Sequence, residues 1–288
     1  MSAVELTREL LEDFPLPKQG NGDKHDHGKL LVVAGSRSVP GAAVLCAEAA
    51  MRAGAGKLQI ATVESIAVQL GIAVPESRSV GLAEASDGGF ADSAVDDIAG
   101  LAADVDAVVA GPGLLESSAC ERIAGELVNA GTALALDAGI LRSLRPHAGQ
   151  SKHSMQPPVL LPHSGEMASL LACDQDAVEA DPEGCGRACA ELYGAITLMK
   201  GADSRIVHPD GRLWLYRGRT PGLGVSGSGD VLAGIVGGLL ARGADPLAAL
   251  LWGVVLHGEA GNALSRKIGK VGFLAREIPD EIPALLSD

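Results

Sequence analysis

Short apolar runs alternate along the chain with longer segments of helical spacing. Six of these runs predict strands buried on both faces, at 29–34, 57–62, 105–110, 132–136, 159–161 and 195–199. Helices are predicted between and beside them, at 40–53, 64–72, 92–102, 119–130 and 182–193, and one follows Pro162–Glu166 and runs to about Leu171. This order predicts parallel strands joined by right-handed crossovers, and therefore an α/β fold.

The two ends of the chain depart from this alternation. Residues 4–13 have amphipathic spacing and predict a short helix. Pro209-Asp210-Gly211 is typical of a tight turn, so its flanks, 205–208 and 212–216, are predicted to form a β-hairpin. Three more helices are predicted: one that ends at Ala241, one from Asp245 to about Ser265, and one near 274–286. No linker or change of composition divides residues 1–288, which favours a single domain.

The predicted strands end in residues that are suited to binding a ligand. These strand ends are Gly35-Ser36, Gly111-Pro112-Gly113, Asp137, Pro162-His163 and Lys200-Gly201. Ligands of open parallel sheets bind at the carboxyl ends of the strands. We therefore expect a site at one edge of the sheet, and the strand ends together indicate it better than any single motif.

A glycine-rich stretch precedes the helix that is predicted to end at Ala241. It contains Gly224, Gly227 and Gly229 and leads into Asp230. Free backbone N–H groups and the helix dipole make such a turn an anion site. Because a carboxylate repels a phosphate, Asp230 is expected either to act on a hydroxyl proton or to hold a metal. The alternative is an ordinary acid in the first turn of a helix beside a flexible loop.

Other strand ends offer groups that can face the same anion. Lys200 would supply a positive charge to a phosphate, or it is a surface lysine. Glu166 suits Mg²⁺, directly or through water, or it is an acid of the first helical turn. His163 would contact a substrate hydroxyl or phosphate, or it caps the helix.

Composition and charge restrict the class of protein. A net charge of −13 argues against nucleic acid and anionic membranes as partners. Five cysteines without CxxC spacing predict free thiols in a cytoplasmic protein, and neither a signal peptide nor a membrane-spanning run is expected. His25 and His27 have metal-binding spacing but no third ligand nearby, so the interval 18–28 is interpreted as a polar loop facing solvent or substrate.

Nine short motifs follow one another between Lys24 and Gly261, namely Gly28–Ser36, Pro40–Ala43, Arg52–Gly56, Ala110–Leu114, Leu136–Ala138, Pro162–Glu166, Lys200–Ala202, Gly227–Gly234 and His257–Gly261. In this order they resemble the ADP-dependent NAD(P)H-hydrate dehydratases, the YjeF C-terminal type of the ribokinase-like superfamily. The GxGD piece alone marks only the superfamily, whereas the ordered set is specific to the dehydratases. The resemblance implies a three-layer αβα sandwich with a mainly parallel central sheet and a small β-hairpin.

The resemblance also implies a reaction, in which NADH or NADPH hydrated at C6 of the nicotinamide ring is returned to the intact cofactor. Phosphorylation of the C6 hydroxyl would make a good leaving group, and the ring nitrogen would help to expel phosphate. ADP would give AMP and phosphate in bacterial-type members, and ATP is used in eukaryotic ones. The implied cofactors are Mg²⁺ and ADP or ATP, and the implied assembly is a homotetramer that works with a separate epimerase.

The same resemblance assigns roles to individual residues. Asp230 would be the base that activates the C6 hydroxyl. The proposed substrate contacts are Ala42, Ala43, Gly111, Gly113, His163 and Asp230. The proposed nucleotide contacts are Lys200, Gly201, Ala202, Asp203, Ser204, Gly227, Ser228 and Gly229. Glu166 is the proposed Mg²⁺ contact.

The chain departs from the family pattern at several positions. Gly139 stands where the family often has a second acid, Leu161 stands where a threonine usually begins the proline–histidine motif, and Ser228 replaces a threonine. The segment 220–225 also lacks the Asn and Met often found there. Two rival functions stay open: a small-molecule kinase of the same fold, of the hydroxyethylthiazole-kinase type, and a non-catalytic nucleotide-binding protein.

Overall fold

Ten strands form one sheet in the computed structural model, which describes residues 3–17, 28–151, 156–218 and 220–287. The strands are β1 (Val4–Glu5), β2 (Lys29–Val33), β3 (Lys57–Val63), β4 (Ser77–Leu82), β5 (Ala107–Ala110), β6 (Ala133–Leu136), β7 (Val159–Leu160), β8 (Ile196–Met199), β9 (Asp203–Val207) and β10 (Leu213–Arg217). The α-helices are α1 (Pro40–Arg52), α2 (Glu64–Ala73), α3 (Val95–Ala102), α4 (Ser118–Asn129), α5 (Gly139–Arg142), α6 (Ser164–Leu171), α7 (Gln175–Ala180), α8 (Pro182–Tyr193), α9 (Ser228–Ala241), α10 (Pro246–Lys267) and α11 (Ile278–Ser287).

The strand order across the sheet is β1-β10-β9-β8-β7-β6-β5-β2-β3-β4. The seven strands from β8 to β4 are parallel to their neighbours, and β9 is antiparallel to both β8 and β10. The predicted hairpin therefore extends the main sheet instead of standing apart from it. Strands β2 and β5 are neighbours in the sheet although β3 and β4 lie between them in the chain, so the direction of winding reverses between β2 and β5.

Two groups of helices cover the two faces of the sheet. Helices α1, α2, α9, α10 and α11 pack among themselves, and α3, α4, α5, α6, α7 and α8 form the other group. The predicted three-layer α/β architecture is thus confirmed. It follows from the alternation of buried strands and amphipathic helices, because each parallel connection must place its helix on one face.

Small residues let α9 approach α1 closely, which sets the position of the glycine-rich turn. A β-carbon at Gly234 would collide with the Cys46 carbonyl oxygen, and one at Gly238 would lie 2.5 Å from the Ala50 carbonyl oxygen. A β-carbon at Gly237 would collide with Val109 of the sheet. Because Ala and Gly are abundant here, α9 packs closely on α1 and on the sheet, and its start lies at the edge of the sheet.

The structure differs from the sequence predictions at the N-terminus, at an edge strand and before α8. Residues 4–13 do not form one helix: Val4–Glu5 pairs in parallel with β10, and only Glu9–Asp13 forms a 3₁₀ helix. Pairing with the open edge of β10 outweighs the local helical spacing. Strand β4 and helix α7 were not predicted. His25 and His27, with the rest of 18–27, lie outside the described residues.

Helix α10 is long and apolar enough to span a membrane by composition, with 22 residues and a mean hydropathy of 1.2, and it is the single such helix in the described ranges. However, 72% of that window is buried against the rest of the protein, as in a core helix. All five cysteines are free, as predicted; Cys46, Cys120 and Cys189 are buried and Cys173 is exposed.

Candidate active site

The site forms where the carboxyl ends of the parallel strands meet. The reversal between β2 and β5 opens a crevice, and the two strand-end loops touch there, since the Gly35 amide donates to the Pro112 carbonyl oxygen at 2.8 Å. Open α/β sheets bind ligands at such a point. The strand ends predicted from the sequence to share one edge are thus brought to one edge.

A cluster of four charged residues occupies this edge beside the crevice, formed by Asp137, Glu166, Lys200 and Asp230. The Lys200 ammonium donates to Asp137 Oδ1 at 2.6 Å and lies 4.0 Å from Glu166 Oε2. Asp137 is 1% exposed, and Lys200 is largely buried. Burial opposes the charge on Lys200, but the surrounding acids outweigh it and raise the pKa of the ammonium group, which is therefore charged.

Asp230 lies in the first turn of α9, after a glycine in the left-handed conformation. Gly227 has φ +90°, which glycine adopts without strain. A β-carbon at Gly229 would lie 3.4 Å from Lys200 Nζ, an ordinary contact distance, so the first turn of α9 lies directly beside the lysine. Burial, followed by the charges of Asp137 and Glu166, raises the pKa of Asp230 to about 7, although Lys200 opposes the shift. A carboxyl group in this range can take up a proton near neutral pH.

His163 and Glu166 hold the start of α6. His163 Nδ1 accepts from the amides of Gly165 and Glu166, and Glu166 Oε2 accepts from the His163 amide at 2.9 Å, which is a reciprocal capping arrangement. Burial, followed by the charge of Asp137 and against that of Lys200, raises the pKa of Glu166. His163 therefore has the capping role, and Glu166 the place in the first helical turn, that the sequence left open as alternatives, while the imidazole also lines a cavity.

A cavity of about 890 Å³ lies between the hairpin, the start of α9 and α10. The predicted site residues that line it are His163, Lys200, Gly201, Ala202, Ser204, Ser228 and Gly229. Two of the predicted nucleotide contacts are outside the lining: Gly227, and Asp203, whose carboxylate lies 3.7 Å from Arg217. Asp230, which follows the cavity-lining Gly229, and Glu166 are outside it as well. The predicted nucleotide residues are thus largely brought together, and His163 lies with them instead of with the other predicted substrate contacts.

The remaining predicted substrate contacts lie at the crevice. Ala42 and Ala43, in the first turn of α1, are buried, as is Gly111. Gly113 has φ +69°, and a β-carbon there would lie 2.7 Å from the Val39 carbonyl oxygen and 3.0 Å from Ala42 Cβ. This side of the site is therefore built from backbone and small side chains.

Gly139, which replaces the second acid often found in the family, has no room for a side chain. A β-carbon there would collide with the Leu114 carbonyl oxygen. The loop after β5 has therefore taken the space in which the side chain of the missing acid would begin.

Several residues at the site were missed by sequence reasoning. The sequence marks Asp137 as a strand end and as part of the motif Leu136–Ala138 but gives it no role, and its ion pair with Lys200 joins positions 63 residues apart. His257, Tyr216, Val254 and Leu232 also line the cavity. Of these, His257 and Leu232 had a signal, because His257 begins one of the nine motifs and Leu232 lies within the motif Gly227–Gly234.

Carboxylates are present for a cation, but two of the three in the charged cluster are already engaged. Within the described ranges, no three His, Cys, Asp or Glu side chains form a group that could hold a metal ion by themselves. Asp137 is paired with Lys200, and Glu166 bonds to the His163 backbone. This donor set fits Mg²⁺ held mainly by ligand phosphates and water, with a carboxylate contact through water.

Comparisons with known proteins agree with this geometry. The sequence profile of the NAD(P)H-hydrate dehydratase family matches residues 30–284. The chain is 46% identical to the ADP-dependent (S)-NAD(P)H-hydrate dehydratase of Xanthomonas campestris over 98% of this chain and 95% of that protein. It is 33% identical to the bifunctional NAD(P)H-hydrate repair enzyme of Moorella thermoacetica, of which it spans 51% of the length.

Among solved structures, the fold matches the ADP/ATP-dependent NAD(P)H-hydrate dehydratase of Bacillus subtilis co-crystallised with ATP and Mg²⁺. The TM-score is 0.83 at 26% identity, over 100% of this chain and 99% of that one. The ordered motifs, the sheet with its glycine-rich turn before α9, and a profile that covers most of the sequence all agree. The chain belongs to the NAD(P)H-hydrate dehydratase family.

Proposed function

We infer that the protein catalyses the ADP-dependent dehydration of hydrated NADH and NADPH, which repairs the damaged nicotinamide nucleotides. The observation that carries this inference is Asp230, a carboxyl group with a pKa of about 7 at the glycine-rich start of α9. It follows a residue that lines the cavity, and the charges of Lys200, Asp137 and Glu166 act on it. A base that works near neutral pH is what the activation of a hydroxyl requires.

The proposed reaction is a phosphoryl transfer followed by an elimination. In the first, Asp230 accepts the proton of the C6 hydroxyl while the oxygen attacks the β-phosphorus of ADP, and AMP leaves. In the second, the ring nitrogen lone pair expels phosphate as the C6–O bond breaks. Loss of a proton from the neighbouring ring carbon then restores the double bond of NADH or NADPH.

The residues of the cavity have roles that suit this transfer. Lys200 offers a positive charge to the phosphates. The backbone amides at Gly227 and Gly229 would stabilise the transferring phosphoryl group, because the start of a helix favours negative charge. The AMP part of the nucleotide would lie along the strand-end loop and the start of β9, against Lys200, Gly201, Ala202, Asp203 and Ser204.

The hydrated dinucleotide would occupy the crevice at the winding reversal. Gly111 and Gly113 offer bare backbone, and Ala42 and Ala43 form its floor. His163 would lie at the boundary, because it lines the nucleotide cavity while capping α6. The C6 hydroxyl would then reach Asp230 from one side and the β-phosphate from the other, which is the positioning that phosphoryl transfer needs.

Mg²⁺ is part of the proposal as the partner of the nucleotide phosphates. When bound, it would neutralise part of their charge. Glu166 would contact it through water, since both carboxylate oxygens lie within 3.2 Å of His163 atoms. We also propose that the chain forms one ribokinase-like domain, works as a homotetramer in the cytoplasm, and is linked in function to an epimerase that acts on the hydrates.

One assay tests the function. Hydrated NADH is incubated with Mg²⁺ and either ADP or ATP, and recovery of NADH absorbance is followed together with release of AMP or ADP and of phosphate. Recovery with ADP is the expected result. A stable phosphorylated product of a small alcohol, without NADH recovery, would identify a kinase of the same fold. Nucleotide binding with no turnover of either substrate would identify a nucleotide-binding protein.

A further inference from the structure

His257 of α10 lies directly against the start of α9, although the proposed reaction gives it no task. Its Nε2 atom is 3.0 Å from Ser228 Oγ and 3.1 Å from the Ser228 carbonyl oxygen. Both residues line the nucleotide cavity, and Ser228 is only 5% exposed. The imidazole therefore contacts the first residue of the helix whose start is the proposed phosphate site.

The contact with the carbonyl oxygen is the ground on which we assign the hydrogen of the imidazole ring. A carbonyl oxygen can only accept, so the nitrogen that bonds to it must be the donor. We therefore assign the hydrogen to Nε2, which lies within hydrogen-bond distance of both oxygens of Ser228. The Ser228 hydroxyl, bonded to the same nitrogen, has to act as an acceptor there, because a protonated ring nitrogen has no lone pair to offer.

The ring is also held neutral. Burial lowers the pKa of His257 to about 4, and the nearby Lys200 charge acts in the same direction, against the opposing bond to the Ser228 carbonyl oxygen. At pH 7 the group is therefore the neutral tautomer with hydrogen on Nε2. It adds no positive charge to the cavity but supplies one fixed donor.

The assigned tautomer of His257 decides how the Ser228 hydroxyl can form hydrogen bonds. Because Ser228 Oγ accepts from His257, its own hydrogen stays available for another acceptor. No second bond of this hydroxyl occurs among the described residues. The hydroxyl lies at the start of α9, where backbone amides and the helix dipole already favour an anion.

We propose that His257 is a positioning residue, which fixes the Ser228 hydroxyl as a hydrogen-bond donor to a phosphate group of the bound nucleotide. This inference rests on the proposed binding of ADP in the cavity. It assigns the Ser228 side chain a task beside those of the backbone amides at Gly227 and Gly229. It also explains why an imidazole, rather than a charged side chain, lies beside Lys200.

The test measures the affinity of the full-length protein for ADP by calorimetry, and KM for ADP and kcat by NADH recovery. H257L removes the donor, H257Q keeps an N–H group near the Nε2 position, and S228A removes the hydroxyl. We expect H257L and S228A each to weaken ADP binding about 10-fold or more, since a bond to a charged group is lost. The double variant should be no weaker than either single variant. H257Q should recover most of the affinity.

A matched control and a spectroscopic measurement separate this role from a structural one. His147 Nε2 also bonds a backbone carbonyl oxygen, that of Glu121, but lies outside the cavity. H147L should therefore leave ADP affinity unchanged even if it lowers the melting temperature. In the wild-type protein, ¹⁵N NMR of the imidazole should identify hydrogen on Nε2 and none on Nδ1 at pH 7.

The outcomes are decisive in both directions. Any one of three results would overturn the proposal: hydrogen on Nδ1 alone, additive losses in the double variant, or unchanged ADP affinity in a folded H257L variant. If the wild-type protein binds ADP with the expected coupling but does not restore NADH, the proposed function fails and the role of His257 stands. If the wild-type protein binds no ADP, both fail.

Discussion

The two halves of the sheet edge use side chains in opposite ways. On the nucleotide half, four charged groups are held within one buried cluster, and Lys200 is paired with Asp137 at 2.6 Å. On the crevice half, Gly111 and Gly113 have no side chains, and the first turn of α1 contributes only methyl groups. A phosphate is held by charge, whereas a large dinucleotide needs open space.

This difference determines how each half can be tested. The charged half should respond to a change of charge at nearly constant shape. The crevice half should respond to a single added methyl group at constant charge. If each half responded to the other kind of change, the division of the site into a nucleotide half and a substrate half would be wrong.

The largest effect is expected for Asp230→Asn. Loss of a positioned proton acceptor should lower turnover by about 100-fold or more. Affinity for ADP should be kept or increased, because one negative charge beside the phosphates is removed. Turnover is measured by NADH recovery at saturating ADP, and affinity by calorimetry. Turnover near that of the wild-type protein would show that Asp230 is not the base.

Asp230→Asn should also raise the stability of the folded protein at pH 8, although it lowers turnover. The pKa of Asp230 in the folded protein is raised to about 7 from 3.8, so the folded state binds a proton that the unfolded state has lost between these values. The carboxyl group therefore costs stability that grows as the pH rises from about 4 to 7 and is complete above 7. Asp230→Asn should melt a few degrees higher than the wild-type protein at pH 8, and no higher near pH 4, measured by calorimetric scans.

A smaller effect is expected on the crevice half, for Gly113→Ala. The new methyl group would press on the Val39 carbonyl oxygen and on Ala42, at 2.7 and 3.0 Å. The start of α1 would have to shift, and we expect KM for the hydrated dinucleotide to rise about 10-fold, because a small displacement of a binding surface weakens positioning. KM for ADP should change little.

Gly131→Ala is a matched control for this substitution. Gly131 has φ +72°, close to the +69° of Gly113, but nothing lies within 4 Å of its added β-carbon. Both variants share the cost of a left-handed alanine, about 1–2 kcal/mol. Only Gly113→Ala should change KM for the hydrate. Equal kinetic effects in the two variants would assign the loss to backbone strain alone.

The elements that were predicted and those that were missed differ in what surrounds them. Central strands such as β2 and β5 are buried on both faces, so their composition identifies them. Strand β4 lies at the sheet edge and contains Ser77, Arg78 and Ser79, which form no apolar run. Residues 4–13 have helical spacing, yet Val4–Glu5 takes up the free edge of β10. Local pattern carries no information about which edge is open.

The residues of the site also differ in whether a local pattern in the sequence could identify them. Asp230, Gly229 and Lys200 could be singled out because each stands in a local pattern, a glycine-rich turn or a strand end. The pairing of Lys200 with Asp137 and of Ser228 with His257 joins positions 63 and 29 residues apart. Such pairs arise from the order of strands and from the packing of α10 on α9. Their geometry therefore became visible only in the folded chain.

The smallest effect, and the most specific one, is a shift of the pH profile. As a base, Asp230 must be deprotonated, so kcat/KM for the hydrate should rise with pH through about 7 and fall on the acid side. After burial, the charge of Asp137 is the main cause that raises the pKa of Asp230. Asp137→Asn should therefore move this limb to lower pH.

Asp104→Asn provides the control for the pH profile, since it removes one negative charge from a side chain that is 85% exposed and lies near Lys29, at the amino end of β2. Its profile should coincide with that of the wild-type protein. Comparison at one ADP concentration cancels the ionisation of the nucleotide itself. A limb that stays in place in Asp137→Asn, or moves to higher pH, would mean that the charged cluster does not set the proton affinity of Asp230. The nucleotide half would then depend on burial alone, and the contrast with the crevice half would lose its electrostatic basis.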